Sequence, residues 1–514
     1  MVLNKTQHLP AIIIILLSIL MVFYMTTFGI GLTPDSVVYL NTSNNLASGN
    51  GFRVSTGAGQ SEWISHYPPL YPAIWSLADV FGLPDMVFIR GVQLILLGFF
   101  LITSCLILIR LLPHHKFTRI LLLTIIGTSF PTLIIFSRAW SEGLFLGLGF
   151  LSLYLLAETL SKSEQSSWFL FFIGFGFAST VLTRYAGIVF LGSAVLFILF
   201  WSSQTWMNKI RQSFLITMPT VIFLGLWLII SYLQNGSSTN REFGFNVLTL
   251  DKIKTGIGTF LEWFFIPENA PFIIKILVLF LFFLLSLLAL KTLGFPKVFN
   301  KSLQKDMPIN NLILLFSLVY PAFILFSIIF LDANIPLDTR ILSPLYFAIV
   351  FAAAILIKKA EENKILFRMI ISFLVVFIIG QILYVTPKVQ NDHLAGIGFN
   401  HEYWRTAQVW GELNPILTDQ TLVSNAPEPI YYYTNVAAVT LPRKYLSISQ
   451  SNNTLYAEQI NNLKNGTLKT GDLLVYFTKL NSTAFPTETE LRTTLPLELI
   501  VQTDQANIYY YNPK

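Results

Sequence analysis

Eleven apolar segments, each close to the length that crosses a lipid bilayer, dominate this chain of 514 residues. A hydrocarbon core of about 30 Å needs roughly 20 apolar residues in a helix. The segments lie near residues 9–30, 87–111, 119–136, 143–160, 168–182, 186–201, 213–233, 272–290, 310–331, 341–357 and 366–385. Only 12% of the residues are charged, whereas soluble domains carry about 25%. The sequence therefore predicts a mostly α, polytopic helical membrane protein with about 11 spans, and it excludes a soluble enzyme.

The loops predict how these segments are oriented. Fifteen loop lysines and arginines fall on the side of the amino terminus and seven on the opposite side. Because positive loops stay in the cytoplasm, a cytoplasmic amino terminus is expected, in the inner or plasma membrane. Residues 168–201 are less regular, since only Thr183, Arg184 and Tyr185 separate two short segments there. Two full spans and one broken or re-entrant arrangement both remain open at that point.

The tail from residue 386 has a different composition, with Asn, Thr and Tyr in place of Phe and Ile. An amphipathic stretch at 402–413 predicts a helix, and strands are expected over 421–424, 437–441, 472–477 and 497–502. The chain is therefore divided into a transmembrane domain, 1–385, with long outer loops at 31–86 and 234–271, and a small extracytoplasmic α/β domain, 386–514. The single cysteine, Cys105, excludes an intramolecular disulfide, a cysteine zinc site and an iron–sulfur cluster.

Asp35 follows directly on the first apolar segment. Thr33 suits a helix N-cap and Pro34 the first helical position, so a helix is expected up to Ala47, before Gly49. The helix dipole favours the ionised form of Asp35 and makes it a hydrogen-bond acceptor at the membrane surface. The alternative is that Asp35 only caps this helix and faces water.

The same loop continues with an aromatic and proline-rich run at 66–72 and an apolar stretch to residue 81, which predicts a helix lying flat in the membrane interface. The aromatic side chains Trp63, Tyr67, Tyr71 and Trp75 fit an interfacial aromatic belt. His66 is a candidate ligand for a divalent cation or a phosphate, although a lone loop histidine is usually just solvated.

Further ionisable residues stand at the ends of other spans. Arg138 and Glu142 are four residues apart in one turn and form either a surface ion pair or, because charge is costly at membrane depth, part of a cavity. Arg184 and Tyr185 follow the fifth segment, and Arg340 precedes the tenth. Two arginines beside apolar walls suit the phosphate of a lipid whose tail stays in the bilayer. Alternatively, each arginine simply extends its charge to the interface.

The second long loop, 234–271, carries an aromatic cluster that predicts either a mobile lid or another interfacial helix. Its ionisable residues include Arg241, Glu242, Glu262 and Glu268. The chain contains no P-loop, dinucleotide fingerprint or HExxH zinc motif. Its net charge of +6 suits anionic membrane lipids and gives no support for nucleic-acid binding.

The order of these features resembles the GT-C superfamily of polytopic glycosyltransferases, in the group around protein O-mannosyltransferases and the lipid A aminoarabinose transferase. The resemblance covers about the first 350 residues. The matching elements are the acids Asp35 and Glu142, the run at 67–72, the Leu-Thr-Arg-Tyr sequence at 182–185 and the Arg-Ile-Leu-Ser-Pro sequence at 340–344.

This resemblance implies transfer of a sugar from a polyprenyl-phosphate carrier to a lipid, glycan or protein acceptor on the outer face, usually with inversion at the anomeric carbon. It implies that Asp35 is the catalytic base, that Glu142 helps to hold acceptor or metal, and that Arg184 and Arg340 bind the carrier phosphate. Tyr185, Arg138, His66 and Tyr67 are further substrate-binding candidates. Many relatives carry paired acids after the first span, but Ser36 follows Asp35 here, which leaves a divalent cation open.

Two other function classes compete with this interpretation. A lipid or solute transporter would place ionisable or broken segments near the bilayer midplane, whereas the charges here gather at one interface. A non-catalytic membrane scaffold would not need Asp35. The identity of the sugar, the acceptor and the carrier length depends on pocket shape, which no motif specifies.

Overall fold

The structure, a computed structural model, describes residues 9–162, 164–239, 243–267, 269–293, 308–417, 420–446, 451–480 and 483–513. Arg241, Glu242 and Glu268 lie outside these residues. In chain order the helices of the described membrane region and its loops are α1 (Leu9–Met25), α2 (Pro34–Ala47), α3 (Leu70–Trp75), α4 (Leu77–Val80), α5 (Asp85–Leu111), α6 (Lys116–Thr128), α7 (Phe130–Phe136), α8 (Glu142–Leu160), α9 (Ser167–Thr183), α10 (Ile188–Trp201), α11 (Trp206–Asn235), α12 (Leu250–Glu262), α13 (Phe272–Leu293), α14 (Pro308–Phe330), α15 (Thr339–Ala360) and α16 (Lys364–Ala395).

All eleven predicted segments coincide with helices in the described part of the chain. Six helices, α5, α8, α11, α14, α15 and α16, are long and apolar enough to cross a membrane. The bent pair α6 and α7 passes the same test as one span, and shorter apolar helices account for the other four segments. The prediction of a polytopic helical membrane protein is therefore confirmed.

The predicted third span is interrupted within its length. Ser129 has an extended backbone, its hydroxyl accepts a hydrogen bond from the Thr132 N–H, and Pro131 occupies the first turn of α7. Since proline lacks the N–H that would continue the preceding helix, α6 ends and α7 restarts at an angle of 48°. Helices α9 and α10 are two separate helices joined by the 3₁₀ turn Tyr185–Gly187.

The first long loop folds tightly around α2. Thr33 is the N-cap and Ala47 the last residue of α2, as predicted. The hairpin β1 (Arg53–Gly57) and β2 (Gln60–Trp63) follows. The helix predicted up to residue 81 is divided into α3 and α4, and the assignment of Tyr71 and Trp75 to an interfacial aromatic belt is wrong, because both side chains are completely buried. The Tyr71 hydroxyl accepts a hydrogen bond from Gln93 at 2.7 Å, so these rings belong to the protein core and not to an aromatic belt.

The C-terminal region contains one mixed five-stranded sheet with the order β4-β3-β7-β9-β8. Its strands are β3 (Leu422–Ser424), β4 (Val439–Thr440), β7 (Leu473–Phe477), β8 (Leu497–Gln502) and β9 (Ala506–Tyr511), and β5 (Tyr445–Leu446) and β6 (Ser451–Asn452) form a separate ribbon. The four predicted strands are confirmed, while β9, which pairs with both β7 and β8, was not predicted.

The helix expected at 402–413 is split into α17 (Glu402–Arg405) and α18 (Val409–Leu413) by tight turns around Ala407. The remaining described helices of this region are α19 (Pro427–Thr434), α20 (Tyr456–Asn462) and α21 (Glu488–Thr494).

Hydrogen bonds from the Phe399 main chain and the Asn400 side chain join this C-terminal region to the segment before α2. Phe399 N–H donates to the Leu32 carbonyl at 2.9 Å, and the Asn400 amide donates to the Ile30 carbonyl at 2.7 Å. Gly398 has a positive φ of 59°, and a Cβ there would lie 2.0 Å from the Leu32 oxygen, so only glycine fits. The sheet therefore lies at the same end of the helical bundle as Asp35.

Candidate active site

Asp35 stands in the first turn of α2 with a partner on each carboxylate oxygen. The Tyr67 hydroxyl donates to Oδ1 at 2.6 Å, and Nη1 of Arg340 donates to Oδ2 at 2.5 Å. The Asp35 side chain is 26% exposed. A half-buried carboxylate with two donors is an ionised group with a fixed orientation, which is more than a solvated helix cap requires.

Glu142 begins α8 and is buried, with only 3% of its side chain exposed. Its Oε1 accepts a hydrogen bond from Nη1 of Arg184 at 2.5 Å and a second from Nε of Arg340. Its Oε2 has no hydrogen-bond partner in the described part of the chain. Of the two alternatives for Glu142, the surface ion pair with Arg138 is therefore wrong, because Glu142 instead holds two arginines that are distant in the sequence.

Arg340 connects the two acids. It lies in the first turn of α15, whose N-cap Asp338 accepts a hydrogen bond from the Ile341 N–H at 3.0 Å. Its guanidinium reaches Asp35 and Glu142 and also stands 4.5 Å from the centre of the Trp140 ring. The planar, multidentate guanidinium can make these contacts together, whereas a lysine ammonium has no such fork.

Arg184 is positioned by the break between α9 and α10. Its backbone is extended, with φ −150° and ψ 133°, and its N–H donates to the Thr180 carbonyl. Gly187 permits this turn, because a Cβ there would lie 2.6 Å from backbone atoms of Thr180. The turn directs Arg184 to the hydroxyl of Ser141 at 3.2 Å and to Glu142.

The surroundings of Asp35 control its protonation. Burial by itself raises the pKa of the Asp35 carboxyl, but the charge of Arg340, the Tyr67 hydroxyl and the charge of Arg184 together bring that pKa below its ordinary value. Burial and then the nearby Asp35 charge raise the pKa of both Tyr39 and Tyr67. At neutral pH, Asp35 is therefore an ionised acceptor beside two protonated phenols.

A cavity of about 120 Å³ opens between these groups. Its polar wall contains Glu142, Arg184 and Arg340, together with His66, Tyr67 and Tyr185. Its apolar wall includes Phe145, Phe323, Ile324, Ile335 and Pro344. Charged groups at one side and an apolar wall at the other suit a ligand with a polar head and a hydrocarbon tail.

Six of the eight predicted site residues line this cavity. Asp35 is a seventh residue at the site, because it is hydrogen-bonded to the lining side chains Tyr67 and Arg340. The ring of His66 contacts the ring of Tyr67 edge-on, and the Tyr185 hydroxyl donates to the Ser65 carbonyl at 2.9 Å. Arg138 does not line the cavity: its guanidinium donates to the Ile134 carbonyl and the Ser137 hydroxyl. Burial lowers the pKa of Arg138 to about 10, with Asp392 opposing that effect.

The residues at the cavity do not fit a resident divalent cation. Among the described residues, no group of three or more His, Cys, Asp and Glu side chains is arranged to hold a metal. Asp35 and Glu142 each give an oxygen to Arg340, which occupies the position between the two acids. The two carboxylates are thus neutralised by guanidinium groups and do not form a shared cation site.

Three lining or supporting side chains were not identified from the sequence. Tyr39 lies one turn after Asp35 on the same face of α2, so helical spacing was a usable signal for it. Tyr320 donates its hydroxyl to the Ile341 carbonyl at 2.7 Å, next to Arg340. Trp140 donates its ring N–H to Thr33 at 2.8 Å and contacts Arg340. For Tyr320 and Trp140 the sequence offered no local signal.

Solved structures with similar folds identify the architecture of this chain. ArnT from Cupriavidus metallidurans bound to undecaprenyl phosphate matches with a TM-score of 0.58 and 12% identity, over 98% of this chain and 99% of that one. The chain therefore shares the fold of this structure. The oligosaccharyltransferase of Archaeoglobus fulgidus, tethered to an acceptor peptide, matches at 0.53 and 11% identity over 91% of this chain and 69% of that one. The mycobacterial arabinofuranosyltransferase AftD matches at 0.52 and 13% identity, over 99% of this chain and 42% of that one.

No protein-family model and no curated protein sequence matches the chain. The resemblance expected from the short motifs is therefore confirmed through the fold, across almost the whole length of ArnT. At this level of identity, the likeness covers architecture, and the activity must be argued from the site.

Proposed function

We propose that this GT-C fold protein is a glycosyltransferase that moves a sugar from a polyprenyl-phosphate carrier to an acceptor, with Asp35 as the catalytic base. The observation that carries the proposal is the cluster in which Arg340 joins Asp35 to Glu142 and Arg184 joins the same oxygen of Glu142. The guanidinium groups of Arg184 and Arg340 line one small cavity, and the ionised carboxylate of Asp35 is hydrogen-bonded to Arg340 beside it.

The two arginines supply what a phosphate leaving group needs. Arg184 and Arg340 meet at Oε1 of Glu142, so both guanidinium groups are held together and can receive phosphate oxygens from adjacent directions. As the bond to the sugar breaks, negative charge grows on the phosphate, and preorganised cations stabilise that charge. The apolar wall formed by Phe323, Ile324 and Pro344 suits the first part of a polyprenyl chain.

Asp35 supplies the proton acceptor. The acceptor hydroxyl oxygen bonds to the anomeric carbon while the bond from that carbon to the phosphate oxygen breaks. The hydroxyl proton passes to Asp35, and the carrier phosphate leaves with the bonding electron pair. A single displacement of this kind inverts the anomeric centre and needs no covalent intermediate. Tyr67 is the positioning residue that holds Oδ1 of Asp35 during this step.

Arg340 couples donor binding to the strength of the base. In the absence of the carrier, Arg340 neutralises Asp35 and lowers the pKa of its carboxyl. A phosphate competes for the same guanidinium, and any loss of the contact to Asp35 raises that pKa. The carboxylate then becomes a better proton acceptor once the donor is bound.

We place the active site, the first long loop and the C-terminal region (residues 386–514) on the extracytoplasmic side of an inner or plasma membrane. The excess of loop lysines and arginines on the amino-terminal side supports this orientation.

Two exposed residues test the orientation, because this topology places Ser61, on β2, and Glu362, after α15, on opposite sides of the membrane. Ser61→Cys and Glu362→Cys variants in a Cys105→Ser background should react with a membrane-impermeant thiol reagent from outside and inside, respectively. Labelling of Ser61→Cys from the cytoplasm would contradict the orientation.

Binding of undecaprenyl phosphate to the full chain in detergent tests the phosphate site. Arg340→Ala removes a charge-assisted contact, so we expect about 10- to 100-fold weaker binding. Arg138→Ala is the matched control, because Arg138 is also a half-buried arginine near Trp140 but does not line the cavity. Equal losses in the two variants would contradict the assignment.

Transfer from a polyprenyl-phosphate sugar tests the base. Asp35→Asn keeps the size of the side chain and an acceptor oxygen for Tyr67, but its amide cannot accept the proton. We expect carrier binding to persist and transfer to be lost. Normal transfer by Asp35→Asn would remove Asp35 from the mechanism.

A further inference from the structure

A second, larger cleft lies between the first long loop and the C-terminal region, apart from the cavity at Glu142. It has a volume of about 840 Å³ and is continuous in its lining with a smaller pocket of about 260 Å³, because Asn45, Ser55 and Ala437 line both. We call these two pockets together the amide cleft. None of the residues of the amide cleft belongs to the site described above.

The walls of the amide cleft are rich in amide and hydroxyl side chains. Asn45, Asn50, Ser55, Gln60 and Ser61 come from the end of α2 and from the hairpin, and Gln420, Thr421 and Asn435 come from the C-terminal region. No carboxylate is among the described lining residues, and the cations are Arg53 and Lys469. The side chains of Gln60 and Lys469 make no hydrogen bond or ion pair to the described part of the chain.

Several of these side chains are held in place by one another. Oδ1 of Asn41 accepts hydrogen bonds from the Ser55 N–H and the Asn45 amide, both at 2.9 Å. The Asn44 amide donates to the Tyr431 hydroxyl at 3.1 Å, across from α2 to α19. Gly57 touches β4 directly, since a Cβ there would lie 2.6 Å from the Val439 nitrogen. The two sides of the amide cleft are therefore fixed relative to each other, which lowers the entropy cost of binding a ligand.

We infer that the amide cleft binds an oligosaccharide, through which the protein holds its acceptor. A sugar hydroxyl is both a donor and an acceptor, and an amide side chain offers both functions, whereas a carboxylate only accepts. The volume is at the upper end of ordinary ligand pockets, so it fits several sugar rings better than one. The cleft offers few apolar surfaces for peptide side chains.

Helix α2 connects the amide cleft to the proposed base. Asp35 and Asn45 are at opposite ends of this helix, about 15 Å apart at 1.5 Å per residue. An oligosaccharide seated in the cleft would have to span this distance to reach Asp35, since most residues of α2 between the two sites are buried. The acceptor role of the cleft rests on the proposed glycosyl transfer, whereas the binding of an oligosaccharide does not.

Ligand-observed NMR with short linear glucan, mannan and galactan oligosaccharides tests this inference on the full chain in detergent. We expect at least one series to bind. Ser61→Trp, which places an indole in the cleft from an exposed strand position, should abolish the signal. Gln60→Ala should weaken binding about three- to tenfold through loss of one set of hydrogen bonds. Asn461→Ala is the matched control, since Asn461 is an exposed asparagine on α20 that does not line the cleft.

Undecaprenyl phosphate binding, measured on the same variants, separates this inference from the proposed function. Carrier binding should be intact in Ser61→Trp and Gln60→Ala, which also shows that these variants are folded. Oligosaccharide binding should persist in Arg340→Ala. If no series binds, or if Ser61→Trp and Gln60→Ala leave binding unchanged, the amide cleft is not a carbohydrate site. If oligosaccharides bind but undecaprenyl phosphate does not, the proposed function is refuted, whereas the assignment of the amide cleft as a carbohydrate site is supported.

Discussion

The pairing of Arg340 with Glu142 makes a quantitative prediction about stability. Arg340 is 15% exposed and Glu142 is 3% exposed, so both charges are largely removed from water. Removing one partner of a buried pair costs about 3 to 5 kcal/mol, because the other charge is left without compensation. Arg184 remains on Glu142 and Asp35 is partly exposed, so Arg340→Met should cost about 3 kcal/mol, at the lower end of that range.

A double-mutant cycle isolates the interaction itself. Glu142→Gln keeps an oxygen acceptor but leaves Arg184 without a carboxylate partner, so its single cost should also be about 3 kcal/mol. Once Arg340 is absent, Glu142 keeps Arg184 as its charged partner, so Glu142→Gln then breaks one buried ion pair instead of two. The double variant should therefore lose about 2 kcal/mol less than the two single variants would lose additively.

Equilibrium unfolding in mixed detergent micelles, titrated with sodium dodecyl sulfate, measures this coupling. Lys388→Met with Glu262→Gln is the control cycle, because that pair is 3.4 Å apart and its side chains are 38% and 26% exposed. Its coupling should stay below about 1 kcal/mol. Additive losses in the Arg340 and Glu142 cycle, or equal coupling in both cycles, would refute the view that Arg340 is held by a buried charge network.

Two further predictions concern the base and the turn that carries Arg184. Tyr67→Phe removes a hydrogen-bond donor to Asp35 and so raises the pKa of the Asp35 carboxyl. The acidic limb of the pH–rate profile should therefore move to higher pH. Tyr320→Phe is the control in the same cavity and should not move this limb, because the Tyr320 hydroxyl donates to the Ile341 carbonyl. An unmoved limb in Tyr67→Phe would show that the titrating base is another group. Gly187→Ala forces a Cβ against the Thr180 backbone and should destabilise the fold by about 1 to 3 kcal/mol. The control is Gly192→Ala in α10, where the added Cβ has no neighbouring atom within 4 Å. In thermal unfolding this second variant should be neutral or slightly stabilising. Similar melting temperatures for both glycine variants would contradict the close approach at Gly187.

Local features of the sequence were sufficient for much of the fold. Long apolar runs place the membrane helices, because a helix is the way to satisfy the backbone in lipid. The Thr33 and Pro34 pair defines the start of α2, since its geometry depends only on adjacent residues. Alternating patterns in the tail placed four strands, but β9 was missed, and the aromatic rings of the first loop were assigned to the membrane surface when Tyr71 is in the core.

The contacts between the site residues could be identified only from the tertiary structure. The two acids that contact Arg340 are 305 and 198 positions away in the chain, and no spacing rule connects residues at such separations. Arg138 and Glu142 are close neighbours in the chain, yet the packing of α8 against the turn at Arg184 directs Glu142 elsewhere. Sequence alone determined which charged residues stand at one end of the membrane helices, because hydrophobicity and capping are local properties. Packing alone decided which of them neutralise one another, because a buried charge must find its partner wherever the folded helices bring one.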